Sequence, residues 1–207
     1  MLNLSPDLLI ARGYHRECYQ HPEDKDRCVK IVVHGGTEET RREQAYYRLL
    51  EKRLGDWRGI ARFHGNVDSN LGSGAVFDLI RDQDNSVSRT VSQYLENPEL
   101  LPLHREGIIR ALVKFRNYQL KNNIQTMSLK PWNFVYQLNH DTRGKIYLID
   151  SLGNADFIPI CSFSVFFGQR KIRRKWLKFI RLLEQHYPGS DSIQSFTCQL
   201  KTALTTG

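Results

Sequence analysis

The side chains best suited to chemistry lie between Ser128 and Asp150. Ser128-Leu129-Lys130-Pro131-Trp132-Asn133 reads as a polar loop and Phe134-Val135-Tyr136 as an apolar strand. A turn rich in Asn, Asp and Gly (residues 139–144) leads to a second apolar run, Ile146-Tyr147-Leu148-Ile149, which ends on Asp150. The pattern predicts loop, strand, hairpin turn, strand and acid. Such a hairpin brings the amide of Asn133 and the carboxylate of Asp150 to one end. Hard oxygens of this kind suit Mg²⁺, and an ammonium beside them, here Lys130, suits a phosphate oxygen. The chemistry this arrangement would serve is phosphoryl transfer.

The rest of the chain must position these groups. Its 207 residues are enough for one large domain or two small lobes with a real core. A net charge of +8 and a pI near 9.4 favour acidic partners: nucleotides, nucleic acid, anionic lipid or an acidic protein. A basic solvated surface with no specific partner fits the charge equally well. Cys18, Cys28, Cys161 and Cys198 are widely spaced with no C-x-x-C pair, which indicates neither a zinc site nor a disulfide framework and fits a cytoplasmic protein. No apolar run reaches the length of a transmembrane helix, and no export signal is visible at the N-terminus.

Residues 7–33 read as strands: Leu8-Leu9-Ile10, a glycine turn at Gly13, Glu17 to Gln20, a polar turn at 21–26, and Cys28 to Val33. Lys30 sits inside the last apolar run, where a lysine survives either at a sheet edge or by pairing with an acid. After Gly35-Gly36, acids at Glu38 and Glu39 and the spacing of Tyr46, Leu49, Leu50 and Leu54 predict a helix over 38–54. That helix could carry Glu43 to Lys30, although an exposed glutamate is the commoner case. Residues 59–65 and 74–80 read as two more strands, with a turn over 68–74 between them. The expected domains are therefore 1–80, a small antiparallel sheet with one helix, and 81–207, mainly helical.

In the second half, 88–96 and 104–122 read as helices separated by a connection that Pro98 and Pro102 bound. Residues 157–167 are apolar without clear periodicity. Residues 169–187 form a basic amphipathic helix, with Ile172, Trp176, Phe179, Ile180 and Leu183 as its apolar stripe. Arg170, Lys171, Arg173, Arg174, Lys175, Lys178 and Arg181 fill the other positions. Such a helix could dock on the core with a solvated basic face, or meet an acidic partner or anionic lipid. The Ser-, Thr- and Gln-rich tail after Pro188 is expected to fray.

Together these parts resemble the protein-kinase fold: a glycine turn, a strand lysine, a helix glutamate, an L-K-P-x-N loop, and a strand ending in D-x-x-G, all in order. The fold class this implies is α+β, a protein-kinase-like bilobal fold with a reduced C-lobe. A closer similarity is to the YrbL-type proteins of the PhoP regulatory network, kinase-like bacterial proteins. Its matching segments are Gly13 to Pro22 with Cys28-Val29-Lys30-Ile31, Arg41-Arg42-Glu43, Asp56 to Ile60, and Thr126 to Pro131. The resemblance implies ATP and Mg²⁺ as cofactors. Lys30 would hold the α- and β-phosphates and pair with Glu43, with Gly13 in the turn over the phosphates. Asp78, Leu79 and Ile80 would form the hinge that receives adenine. Asn133 and Asp150 would hold Mg²⁺, and Lys130 would neutralise the transferring phosphoryl group. The family also implies synthesis under a two-component system that senses low Mg²⁺.

The chain departs from kinases where it matters for catalysis. Ser128 stands where kinases carry the aspartate that accepts the substrate proton, Ser151-Leu152-Gly153 follows the acid in place of Phe-Gly, and no Ala-Pro-Glu segment follows. Two function classes remain. One is an atypical ATP-dependent phosphotransferase acting on a protein or small-molecule acceptor. The other is a pseudokinase, a nucleotide-responsive protein-binding module. A third reading makes the basic helix the working surface.

Overall fold

Three short apolar runs near the N-terminus become the first strands of a mixed α+β protein. The computed structural model describes residues 1–139, 144–154, 161 and 164–205. The chain divides into two units, Met1–Arg81 and Asp82–Gly207. The first holds a five-stranded antiparallel sheet of β1 (Leu9–Arg12), β2 (Arg16–Gln20), β3 (Arg27–Val32), β4 (Phe63–Ser69) and β5 (Gly72–Asp78). The order β1-β2-β3-β5-β4 makes β3 the central strand. Lys30 therefore does not lie at an edge.

Strand register assigns the two faces. Lys30 lies opposite Cys18 on β2 and Ala75 on β5, and Cys28 lies opposite Phe77. Directly paired residues share a side and neighbours in sequence alternate. Tyr19, Val29, Ile31 and Val76 thus face one way and pack with Leu2 and Leu4 of the N-terminal segment. Cys28, Lys30 and Phe77 face the other way, towards α1 (Glu38–Glu51). Tyr47 of α1 fixes that packing: its ring lies 5.6 Å from Phe77 and 5.9 Å from Phe63, and its hydroxyl donates to the Ala61 carbonyl at 2.7 Å. Glu38 and Glu39 in the first turn and Arg48 in the last complement the helix dipole.

The β4–β5 hairpin departs from expectation. Residues 59–62 are not strand, β4 continues to Ser69, and the turn is confined to Asn70 and Leu71. Ser69 explains the tight closure, because its hydroxyl donates to the Gly72 carbonyl (2.7 Å) and accepts the Leu71 N–H (3.1 Å).

In the second unit, Thr90 and Gln93 form a capping box for α2 (Val91–Leu95), which is shorter than the predicted 88–96. The next helix, α3 (Leu100–Asn122), starts before the predicted 104. Pro102 lies inside its first turn instead of in the connection, and a proline there loses no hydrogen bond because first-turn amides lack intrahelical partners. A hairpin of β6 (Phe134–Gln137) and β7 (Lys145–Leu148) follows. Then come α4 (Val165–His186) and α5 (Asp191–Thr205). The apolar stretch 157–167 lies mostly outside the described residues, apart from Cys161 and the start of α4.

The core of this unit is aromatic. Phe115 of α3, Phe134 of β6 and Trp176 of α4 are in ring contact at 5.3–6.4 Å, with Phe179 beside Trp176 at 5.5 Å. The Trp176 indole donates to Gln119 Oε1 at 2.8 Å, so its one polar group is satisfied. Gly168 in the first turn of α4 permits a close approach, since a Cβ there would collide with Asn123 Oδ1 and the Cys161 carbonyl. The C-terminal tail is not frayed. Ile193, Phe196, Leu200 and Leu204 recur on one face of α5 and are buried, and α5 packs on α3 and α4.

Candidate functional site

The hairpin end carries the second unit's share of the expected site. Phe134 pairs with Leu148, and the Ile149 N–H donates to the Asn133 carbonyl at 2.9 Å, so Asn133 enters and Asp150 leaves at the same end. Upstream and downstream segments are held side by side. Thr126 bridges Leu152 antiparallel, the Met127 N–H donates to the Ser151 carbonyl (2.8 Å), and the Gly153 N–H donates to the Gln125 carbonyl (3.0 Å). This small ladder brings Ser128 beside the residue after the acid.

Ser151 is the keystone of the cluster, and the sequence reading missed it. Its backbone is left-handed (φ 61) and it is buried. Its Oγ accepts from Asn133 Nδ2 at 3.0 Å and from the Ser128 hydroxyl at 3.1 Å, and its N–H donates to Asp150 Oδ1 at 2.5 Å. Asn133, at 6% exposure, thus has its amide nitrogen committed to Ser151. Its Oδ1 accepts from none of the described residues. Ser128 is a hydrogen-bond donor here, not a base. Lys130 is half-buried, with its ammonium 5.3 Å from the Trp132 ring.

Two lysines of α4 reach into this region from behind. Lys175 Nζ donates to the Met127 carbonyl, and the buried Lys171 donates to Asn154 Oδ1. Neither belongs to the solvated basic face expected of this helix. At about 100° per residue, positions 171 and 175 fall at the border between the outward cations and the buried stripe, so their burial comes from the polar partners they reach and not from helical phase alone.

In the first unit, Lys30 is 7% and Glu43 1% exposed, in the layer between the sheet and α1. Glu43 is therefore not a surface acid. Its Oε2 accepts from Arg16 at 2.7 Å, a residue on the Lys30 face of β2 that the sequence reading did not single out. The Lys30 ammonium lies 4.7 Å from the Phe77 ring centre. Cys28, two residues earlier on this face, has its thiol pushed well up by contact with the Cys18 thiol and by burial. Gly13 opens the β1–β2 turn with its N–H donated to the Arg16 carbonyl at 2.8 Å, and a Cβ would come within 3.1 Å of that carbonyl. Close approach, and not a positive φ, is what calls for glycine.

The expected hinge residues are partly occupied. The Asp78 N–H donates to the Arg62 carbonyl (3.0 Å) and the Leu79 N–H to the Asp26 carbonyl (2.8 Å). The Asp78 carboxylate accepts from His64 (2.6 Å) and from the Arg62 N–H (2.8 Å). A cavity of about 380 Å³ in this unit lies against Arg16, Gly35, Gly36 and the start of α1; Lys30 does not line it.

Among the described residues no group of three or more His, Cys, Asp or Glu side chains could hold a metal ion. Asn133 and Asp150, at the same end of the hairpin, are the residues here that could each offer an oxygen to a metal of the Mg²⁺ type, which needs few protein ligands because it keeps several waters.

These features define a mixed α+β protein with an antiparallel five-stranded sheet in one unit and, in the other, helices around a hairpin ending in an amide and an acid. Residues 2–184 match the family described as PhoP regulatory network protein YrbL, and the chain belongs to that family. It is 39% identical over 186 residues to the protein from Escherichia coli K12 called uncharacterized protein YrbL, covering 87% of each chain. The Shigella flexneri protein of the same name matches with the same identity and coverage. No helix among the described residues is long and apolar enough to cross a membrane.

Proposed function

We propose that this protein binds ATP with Mg²⁺ through a protein-kinase-like, bilobal fold and acts as a nucleotide-dependent member of its family. The observation that carries the reading is the end of the β6–β7 hairpin. There Ser151 accepts from the Asn133 amide nitrogen and donates its N–H to the Asp150 carboxylate, so one residue holds both groups. Lys30 and Glu43, buried within the first unit, also support it, since a lysine is rarely placed in the middle of a sheet without a task. In this reading Lys30 takes the α- and β-phosphates and Asn133 and Asp150 take the metal. Lys130 neutralises the terminal phosphoryl group. Adenine contacts fall to the Leu79 carbonyl and Ile80, because the Asp78 and Leu79 amides already have acceptors.

Ser128 separates two outcomes. Losing a general base costs about 10²–10⁴-fold in rate, whereas phosphoryl transfer depends mainly on positioning and charge stabilisation. A weak phosphotransferase is therefore compatible with the residues present. The bond from the Ser128 hydroxyl to Ser151 favours the second reading, a pseudokinase that responds to nucleotide by contacting a partner. Calorimetric titration of ATP with and without Mg²⁺, into wild type and Asp150→Ala, tests the common core. Mg²⁺-dependent binding lost in the variant is expected, and no binding by either protein overturns it. ADP release under the same conditions then distinguishes a phosphotransferase from a pseudokinase.

A further inference from the structure

The outward face of α4 has a composition that the nucleotide reading does not use. Arg170, Arg173, Arg174, Lys178 and Arg181 are exposed there. On the same arc lie three large apolar side chains that also face solvent: Phe166 (69% exposed), Phe167 (52%) and Leu177 (54%). At about 100° per residue these eight positions span roughly 140°, opposite the buried stripe of Ile172, Trp176, Phe179 and Leu183. No acid interrupts the face before Glu184. A solvated basic face explains the cations but leaves the two phenylalanines, in ring contact at 5.4 Å, without a reason to be exposed.

We infer that this face of α4 docks on an anionic lipid bilayer, with Phe166, Phe167 and Leu177 entering the headgroup–acyl boundary and the arginines meeting lipid phosphates. Amphipathic helices that lie in a membrane interface combine these two features, apolar side chains for insertion and cations for anionic headgroups. One observation favours lipid over nucleic acid. Leu177 has no planar face on which a base could stack, and with Phe166 and Phe167 it gives the face three apolar side chains that a phosphate backbone would leave in water. A further detail points to an anionic partner of some kind. Arg116 of α3 has a buried Nη1 with no hydrogen-bond partner among the described residues, and its charge is disfavoured first by burial and then by the nearby Arg173 cation. An anion at Arg173 would relieve the second of these.

The test is flotation of the full chain with vesicles of phosphatidylglycerol in phosphatidylcholine and with pure phosphatidylcholine vesicles, at low and high salt. Wild type should bind only the anionic vesicles, and more weakly at high salt. Each cation at such a surface is worth about fivefold in partitioning, so Arg173→Glu with Arg174→Glu should lower binding by at least about 25-fold. Phe166→Ser with Phe167→Ser should keep the salt dependence but lose most of the bound fraction. These side chains lie outside the core, and circular dichroism establishes that both variants fold. Absence of binding to anionic vesicles, or binding indifferent to either double variant, overturns the inference. So does duplex DNA binding that is tighter than vesicle binding and lost in the Arg173→Glu/Arg174→Glu variant, which would make this face a nucleic-acid surface.

Discussion

Removing the Ser151 hydroxyl should destabilise the second unit by an amount that depends on what replaces it. Ser151 Oγ accepts from two donors, Asn133 Nδ2 and the Ser128 hydroxyl. Ser128 is half-buried and can turn to water, so its loss adds little. Asn133 is buried, and orphaning one buried donor costs about 1–3 kcal/mol. The backbone separates alanine from glycine. At φ 61 any residue with a Cβ pays about 1–2 kcal/mol, which serine and alanine share and glycine avoids, although glycine gives back part of this in chain entropy. Ser151→Ala should therefore lose about 1–3 kcal/mol, and Ser151→Gly should be more stable than Ser151→Ala by about 1 kcal/mol. Urea unfolding in a Trp57→Phe background measures this, because the remaining tryptophans, Trp132 and Trp176, both lie in the second unit. An alanine variant as stable as wild type would refute the hydroxyl's role. An alanine variant more stable than the glycine variant would refute the backbone argument.

Further outcomes follow from groups elsewhere. Lys175→Met frees the Met127 carbonyl and, if the proposed Mg²⁺-dependent ATP binding holds, should weaken it about tenfold while leaving the far-ultraviolet circular dichroism unchanged, which titration of the variant checks. His104 is held below the usual histidine value of 6.5, first by burial and then by the Arg89 cation. The unfolded chain therefore takes up a proton more readily, and stability should fall as pH drops through about 6.5 and on to the folded value. Urea midpoints at about pH 7.5 and about pH 5 should differ less in His104→Gln than in wild type. Cys28 should react with a disulfide reagent only on unfolding, since its thiol is buried and shifted well up, while the exposed Cys198 should react in the native protein. Mass mapping of the labelled peptides reads both.

What the sequence disclosed depended on how each signal was written. The β6–β7 hairpin was legible because apolar runs bracket a turn of Asn, Asp and Gly, and register then fixes Asn133 and Asp150 without knowledge of the rest of the chain. Lys30 was visible as an anomaly, but only the strand order could decide between an edge and a centre. The helix α5 was hidden by its Ser, Thr and Gln content, although Ile193, Phe196, Leu200 and Leu204 keep a helical period. Ser151 could not be recognised from its type, because its role rests on a left-handed backbone and on a ladder between residues 125–128 and 151–153. Lys171 and Lys175 were grouped by charge with the outward cations; they sit at the border of that face, and only the tertiary partners Asn154 and the Met127 carbonyl set them apart.

The position of α5 bears on how the protein should be cut for experiments. The family match ends at residue 184, yet Asp191–Thr205 supply four buried apolar side chains that pack on α3 and α4. Each such side chain is worth about 1.5–3 kcal/mol when fully buried, so together they rival the whole stability of an ordinary domain. An expression fragment ended at the family boundary would expose the apolar surface that α5 covers and should be recovered mainly as aggregate, while one that keeps Leu204 should not. The family match ends about twenty residues before Leu204, counted as 204 against 184, so the end of the match is not a safe place to end a fragment.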